Sequence, residues 1–357
     1  MNASPIVFLI DDLGQGGAQR QLAMIAGELV RRGHAVTVLT YAPRDFMRAD
    51  FEAAGVLVMA LGSKSRIGHV RALRAWVKRH KPRVLVSFLK GPNSLSLLAK
   101  RTGGLPCPLV VGERSVDGET GLSLKRRLAL RLYSSADAIV ANSQRQAGWL
   151  AEEVPLLTPR ISVIGNAVDL DRFSFCAHPT GAIGSFLILA RVVHVKGQSL
   201  LADALCLLHE RNETISFDWY GLRDENSIDA PNGLIRFHEP HHNVSELLAA
   251  SEALCLPSLS EATPNVVLEA MAVGRPVLAT DVGDVRRLVD DGETGWVVPA
   301  GDPRALADAL AAAARTPPAK VQAMSHAARA AVEHAASIGS VVDGYERVFA
   351  SIGVDRF

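Results

Sequence analysis

Cysteine is scarce and unpatterned: Cys107, Cys176, Cys206 and Cys255 are scattered through 357 residues. That scatter offers neither a paired framework nor a metal spacing, and it fits reduced thiols in a cytosolic protein. Aromatic residues make up only 5% of the chain. No apolar run approaches the roughly 20 residues that a membrane-spanning helix needs. The opening residues, MNASPIVFLIDDLG, hold one short apolar run interrupted by acids, which is not the pattern of a secretory signal. A dinucleotide fingerprint is also missing. Gly14-Gln15-Gly16 is followed at the third position by Gln19, and Thr40-Tyr41 stand where an acid would hold a ribose. An NAD-dependent oxidoreductase is therefore disfavoured. No histidine lies between His80 and His178.

What the chain has in quantity is aliphatic residue: 48% of it is hydrophobic, normal for an Ala/Leu/Val-rich α/β protein. Short apolar runs (IVFLI, AVTVLT, VLVMAL, VLVSFL, LVVGE, AIVANS) alternate with helix-periodic segments. The pattern restarts after His178 with SFLILA, ISFDWYG, LIRFHE, ALCLPS, PVLATD and WVVPA. Strands separated by helices predict parallel, doubly wound sheets, and 357 residues are long for one core. The predicted organisation is α/β, with two Rossmann-like domains at residues 1–175 and 176–335 and a strandless helical end at about residues 336–357. Charge divides in the same way. Residues 1–178 carry 24 Lys and Arg against 14 Asp and Glu, and the remainder carries 14 against 23. Halves of opposite sign predict different partners.

Residues 257–276 (PSLSEATPNVVLEAMAVGRP) lie between two strand-like runs and predict a loop entering a helix. Thr263 suits the N-cap and Pro264 the first helical position. The amides of Asn265 and Val266 would then sit at the positive end of the helix dipole, as an anion site. Glu261 precedes that helix and Glu269 lies within it. A carboxylate at each side of an anion site suits a ligand with phosphate at one end and hydroxyls at the other, such as a sugar nucleotide. Arg191 and Lys196 follow the SFLILA strand, where arginine can grip a diphosphate bidentately and lysine as a point charge. Both pieces fall at carboxyl ends of strands in one sheet.

In the first half, Gly16-Gly17 precede a helix; they serve either a tight turn or a backbone approach to phosphate or sugar. Glu113 and Arg114 (GERS) and Asn142 (ANSQ) follow strands, where α/β sheets place ligand contacts; Glu113 and Arg114 suit either an acceptor contact or a surface ion pair. Asp169-Leu170-Asp171 reads more simply as an acidic helix start than as a metal site, and His241-His242 has no third ligand at useful spacing. Residues 64–83 hold eight Lys and Arg with no acid, and residues 122–133 add four. Leu73, Trp76 and Val77 in the first and Leu124, Leu128 and Leu132 in the second fall at helical spacing. Such helices either dock on an anionic membrane surface or turn their apolar stripe onto the sheet and leave the charges solvated. Nucleic acid is disfavoured as a partner, because the acidic second half would repel it.

ARVVHVKGQSLL, together with LLAASEALCLPSLSEATPNVVLEAMAVGRPVLATDVG, resembles the donor-binding half of the GT-B retaining glycosyltransferases of family 4. The E-x7-E spacing from Glu261 to Glu269 is that family's signature. GGAQRQ, NS at Asn142-Ser143, GNAVD and ETGWVVPAGDPRALADAL extend the resemblance over nearly the whole chain. It implies two Rossmann-like domains facing a central cleft, with the last helix crossing back onto the first domain. It also implies a hexosyltransferase that retains configuration and needs neither metal nor other cofactor. Arg191 and Lys196 would neutralise the donor diphosphate, Glu269 would bind the ribose, and Glu261 would contact sugar hydroxyls near the reacting carbon. The amides around Asn265 and Val266 would hold phosphate and sugar oxygens, and Gly16-Gly17 would close over the donor. The implied partners are a nucleotide sugar, UDP-linked by default, and a glycan or lipid-linked saccharide acceptor; the expected place is the cytoplasm, with the inner face of the membrane open through the basic helices. Departures are Ala190 and Glu239, where the family commonly has glycine, and the missing acceptor-side histidine, whose function Glu113 would partly replace. An NDP-sugar epimerase would convert its donor with no acceptor present, and a non-catalytic sugar-nucleotide-binding protein would never turn it over.

Overall fold

The computed structural model describes residues 4–63, 65–114, 130–179, 182–223 and 233–354. The chain divides into two compact units, Met1–Ala167 with Ile338–Phe357, and Val168–Ser337. The first break falls before residue 175 because the following segment is tied to the second unit. Val168 donates its amide to the Ala336 carbonyl at 2.9 Å, and Cys176 donates to Val273 at 3.1 Å.

The first unit holds seven strands: β1 (Ile6–Leu9), β2 (Val36–Thr40), β3 (Leu57–Ala60), β4 (Val84–Phe88), β5 (Leu109–Glu113), β6 (Ala138–Ala141) and β7 (Ile161–Val163). They lie in the order β3-β2-β1-β4-β5-β6-β7, parallel throughout. The apolar-run pattern passes over β7, because its three residues are only half-buried at the sheet edge. The second unit holds β8 (Ser185–Leu189), β9 (Ser216–Tyr220), β10 (Ile235–His238), β11 (Leu254–Leu256), β12 (Val277–Thr280) and β13 (Gly295–Val298), in the order β10-β9-β8-β11-β12-β13. This sheet is parallel too.

Helices on both faces explain why these strands are continuous apolar runs rather than alternating ones. In each sheet the strand order reverses once, between β1 and β4 and between β8 and β11. Open parallel sheets place ligands at that reversal, outside the carboxyl ends of the strands.

The terminal helix Ile338–Ser351 packs on the helix Gly17–Arg31, with Val341, Tyr345 and Phe349 joining Leu22 and Ile25 in one core. Arg32 adds ion pairs to Asp343 and Glu346, both at 2.7 Å. The basic segment forms the helix Arg66–His80, whose Val70, Leu73 and Val77 are buried. Its apolar stripe therefore faces the sheet, with the cations left outside. Lys64 and residues 122–129 of the other basic stretch lie outside the described residues. Among the described residues, no helix is long and apolar enough to cross a membrane.

One buried cation anchors the second unit. Arg275, fully buried, donates to the carbonyls of Leu248, Ala249 and Cys176 at 3.0, 2.7 and 2.8 Å. It thereby closes the end of the helix Val244–Ala250 and ties down the entering segment. Burial pulls its pKa below the usual arginine range. Replacing it with an apolar chain strands buried carbonyls that have no water to turn to. Arg275→Met should lower the unfolding free energy of this unit by about 3 kcal/mol, read from the urea midpoint. An unchanged midpoint would show these hydrogen bonds to be dispensable.

Candidate active site

At the reversal of the second sheet, two crossover loops are pressed together. The loop after β8 runs through Arg191, makes a short 3-10 turn at His194–Lys196, and reaches the helix Gln198–Glu210 through Gly197. Gly197 has φ +79°, and a Cβ on it would overlap the Pro257 carbonyl oxygen at the end of β11. Only glycine meets both demands. Next to this approach, the Leu259 amide donates to the Val195 carbonyl at 2.8 Å. Backbone thus meets backbone at two points between the loops.

Side chains complete the junction. Lys196 Nζ donates to Glu261 Oε1 at 2.5 Å, and Ser258 Oγ–H donates to the same oxygen at 2.8 Å. The Lys196 and Glu261 side chains are 23% and 14% exposed, so the pair is shielded but reachable. Arg191 is exposed on the same loop and makes no ion pair with a described residue.

The helix that follows starts one residue later than its sequence suggests. Pro264, not Thr263, is the N-cap, and the helix is Asn265–Val273. The Pro264 carbonyl accepts the Val267 amide at 3.2 Å, which closes the first turn from Pro264. Asn265 and Val266 thereby become the first two helical residues. Asn265, Val266 and Glu269 are its partly exposed positions, while Val267, Leu268 and the residues from Ala270 on are buried. Asn265 and Glu269 share a face by their i, i+4 spacing. The turn at Gly283 (φ +56°) supports this loop from below: a Cβ there would overlap the Ala262 carbonyl, which accepts the Asp284 amide at 2.9 Å.

The first unit arranges its predicted residues differently. Gly16 is the N-cap of the helix Gly17–Arg31, with no side-chain cap. A Cβ on Gly16 would meet only the mobile end of Gln19, so sterics do not demand glycine there. Glu113, the last residue of β5, is fully buried and accepts the Tyr133 hydroxyl at 2.5 Å. It is an interior hydrogen-bond acceptor rather than a surface group. Arg114 lies over the Phe88 ring at 4.1 Å and donates to Asn166 Oδ1 and the Tyr345 hydroxyl at 2.9 and 3.0 Å. Asn142 is buried after β6, and its amide donates to the Glu113 carbonyl at 3.1 Å.

Asp169 Oδ1 accepts the amides of Asp171 and Arg172 at 3.1 and 3.0 Å, which is the work of a turn cap. Among the described residues no His, Cys, Asp and Glu group is arranged to hold a metal.

Sequence reasoning missed three residues. Ser258 and Thr280 are fully buried behind Glu261, and nothing in their spacing marks them. Leu89, at the end of β4, has φ +78° and ψ 162°, a region held almost only by glycine. The KGP that follows it, a helix start just past an apolar strand, was the available signal.

Two families match. The one described as Glycosyltransferase Family 4 matches residues 15–172, and the one described as Glycosyl transferases group 1 matches residues 184–315. A phosphatidyl-myo-inositol mannosyltransferase from Mycobacterium leprae is 29% identical over 318 residues, 84% of each chain. A D-inositol 3-phosphate glycosyltransferase from Streptomyces scabiei is 30% identical over 238 residues, which cover 58% of this chain and 52% of that protein. Against several such relatives the chain spans about half their length. Among solved structures, Anabaena HepE in complex with UDP superposes with TM-score 0.82 at 20% identity, over 97% of this chain and all of that one. The lipopolysaccharide outer core galactosyltransferase WaaB, in its apo form, gives 0.76 at 15% identity over 97% and 99%.

The junction of the two loops should be intolerant of any side chain at Gly197. Gly197→Ala should cost at least about 2 kcal/mol of stability, with amide exchange accelerated first in residues 191–197 and 257–261. Wild-type exchange there would remove the close approach as a constraint.

Proposed function

The chain belongs to the family 4 glycosyltransferases and has their GT-B fold, and we propose that it moves a hexose or N-acetylhexosamine from a nucleotide sugar to a hydroxyl acceptor with retention of configuration. One observation carries this reading. A cation that grips a diphosphate and a carboxylate that reads sugar hydroxyls must lie on either side of the scissile bond, and so beside each other. Lys196 and Glu261 are hydrogen-bonded to one another at the reversal of a parallel sheet.

Breaking the anomeric carbon–oxygen bond leaves negative charge growing on the departing diphosphate. Preorganised cations and helix amides aimed at that charge supply the main rate term. Arg191, Lys196 and the first turn at Asn265 and Val266 take that role, with Glu269 on the ribose and Glu261 on the sugar. Protein groups then provide the neutralisation, and transfer needs no metal; activity that survives a chelator is the corresponding expectation. Attack comes from the face the leaving group departs, with the phosphate assisting the acceptor hydroxyl. Glu261 and Glu269 are not a glycosidase acid–nucleophile pair.

UDP is the proposed nucleotide, supported by its presence in the HepE complex. A glycan or lipid-linked saccharide is the proposed acceptor. Relatives named for phosphatidylinositol, inositol phosphate and colanic acid support a hydroxyl on a phosphorylated or polymeric carrier. The exposed cations of the helix Arg66–His80 favour the anionic cytoplasmic face of a membrane as the place of work. Arg74, Lys78 and Lys81 of that region line a groove of about 650 Å³.

A thermal-shift screen over UDP-, GDP- and ADP-sugars identifies the donor, since a ligand at 100 times its Kd adds about 2.7 kcal/mol of stability. With that donor, Lys196→Ala should lower kcat/KM by about 100-fold or more; near-normal turnover would sink the diphosphate role. For the membrane reading, the protein should sediment with vesicles containing anionic lipid, less so as salt rises. Binding indifferent to lipid charge and salt would refute it.

A further inference from the structure

Lys196 and Glu261 are held by more than their own charges. Ser258 and Thr280, both fully buried, form a chain of donors behind them. Thr280 Oγ1–H, at the end of β12, donates to the Ser258 carbonyl at 2.5 Å. Ser258 Oγ–H donates to Glu261 Oε1 at 2.8 Å, and the same oxygen takes Lys196 Nζ at 2.5 Å. Glu261 Oε2 receives no hydrogen bond from a described residue. Two donors on one oxygen fix the carboxylate's orientation and leave the other oxygen for a ligand.

We propose that Ser258 and Thr280 are positioning residues for the sugar end of the donor: Thr280 pins the Ser258 peptide to β12, and the Ser258 hydroxyl orients Glu261. This rests on the donor-site reading above. The reason for a second, neutral donor is electrostatic. Once a diphosphate is bound, Lys196 divides its attraction between two anions and holds Glu261 less firmly. A hydroxyl has no net charge to share and keeps the carboxylate in place. It also removes in advance the rotamer entropy that a free glutamate would lose on binding.

The test measures affinity for the NDP-sugar chosen by the screen, affinity for its free nucleoside diphosphate, and kcat/KM, in Ser258→Ala, Thr280→Val and Thr280→Ser. Ser258→Ala should weaken NDP-sugar binding and kcat/KM about 3- to 10-fold, the order of one hydrogen bond. Free nucleoside diphosphate, which lacks the sugar, should bind as before. Thr280→Val should move in the same direction, and Thr280→Ser, which keeps the hydroxyl, should match the wild type; this pair decides the matter should Ser258→Ala fail to fold. In a Glu261→Ala background, Ser258→Ala should have no further effect on NDP-sugar affinity.

Equal losses for the sugar nucleotide and the free diphosphate would overturn the proposal. So would an undiminished Ser258→Ala effect without Glu261. If Lys196→Ala leaves turnover intact, the donor-site reading fails and takes the proposal with it. If Lys196→Ala abolishes turnover while Ser258→Ala and Thr280→Val behave as wild type, the positioning chain alone fails.

Discussion

The second unit's chemistry depends on a contact between two pieces of backbone. Gly197, in the left-handed region, lets the loop after β8 rest directly on the Pro257 carbonyl after β11. A Cβ there would lie 1.8 Å from the Pro257 oxygen, so any side chain would force the loops apart. Lys196 is the residue before that glycine and Glu261 lies four after that proline, so the ion pair follows from the backbone approach rather than creating it. A partly exposed ion pair adds little on its own. Its geometry comes from the crossing of two loops at the strand-order reversal, where each is already anchored by a buried strand.

Rigidity behind the loops has a different source. Arg275 satisfies carbonyls from the entering segment and from the helix Val244–Ala250 with one guanidinium. Arg329 donates to the Phe173 and Ala272 carbonyls at 2.9 and 2.8 Å. Among the described residues Arg275 pairs with no acid, and several carbonyl dipoles replace a counter-charge; Arg329 adds an ion pair to Glu333 at 2.6 Å. A planar fork with five donors suits that task and a lysine would not. The helix Asn265–Val273 ends at Gly274 (φ +84°), immediately before Arg275. The first turn of that helix and its anchored end therefore belong to one rigid element of nine residues.

Much of this was legible in the chain. Uninterrupted aliphatic runs report strands buried on both faces, and the E-x7-E block is specific enough to identify the family. The junction of Lys196 with Glu261 follows once both are assigned to carboxyl ends of neighbouring strands. Three things were not legible. The boundary near residue 168 depends on arginines more than 100 residues away in sequence. The strand β7 is too short and too exposed to leave a pattern. The hydroxyls of Ser258 and Thr280 act through a carbonyl and a carboxylate that only the fold brings near, and a serine or threonine after a strand has too many ordinary uses to stand out.

The first unit keeps its polar groups in a different form, and that is why its residues resisted reading. Ser87 Oγ–H donates to Asn93 Oδ1 at 2.7 Å, Asn93 Nδ2 donates to the Gly112 carbonyl at 2.8 Å, and Tyr133 closes the group on Glu113. These groups are buried and span β4, β5 and the helix Lys90–Arg101 between them. Leu89 sits inside this frame in a conformation that costs roughly 1 to 3 kcal/mol. Such a conformation persists only where the surroundings over-determine it, and the hydrogen bonds on either side of Leu89 do so. A strained turn at the strand-order reversal fixes where the helix Lys90–Arg101 begins. In the second unit, position is set by glycine, which adopts the left-handed backbone without strain; in the first, by a leucine forced into place. Glycine is visible in a sequence as an exception. A leucine among leucines is not.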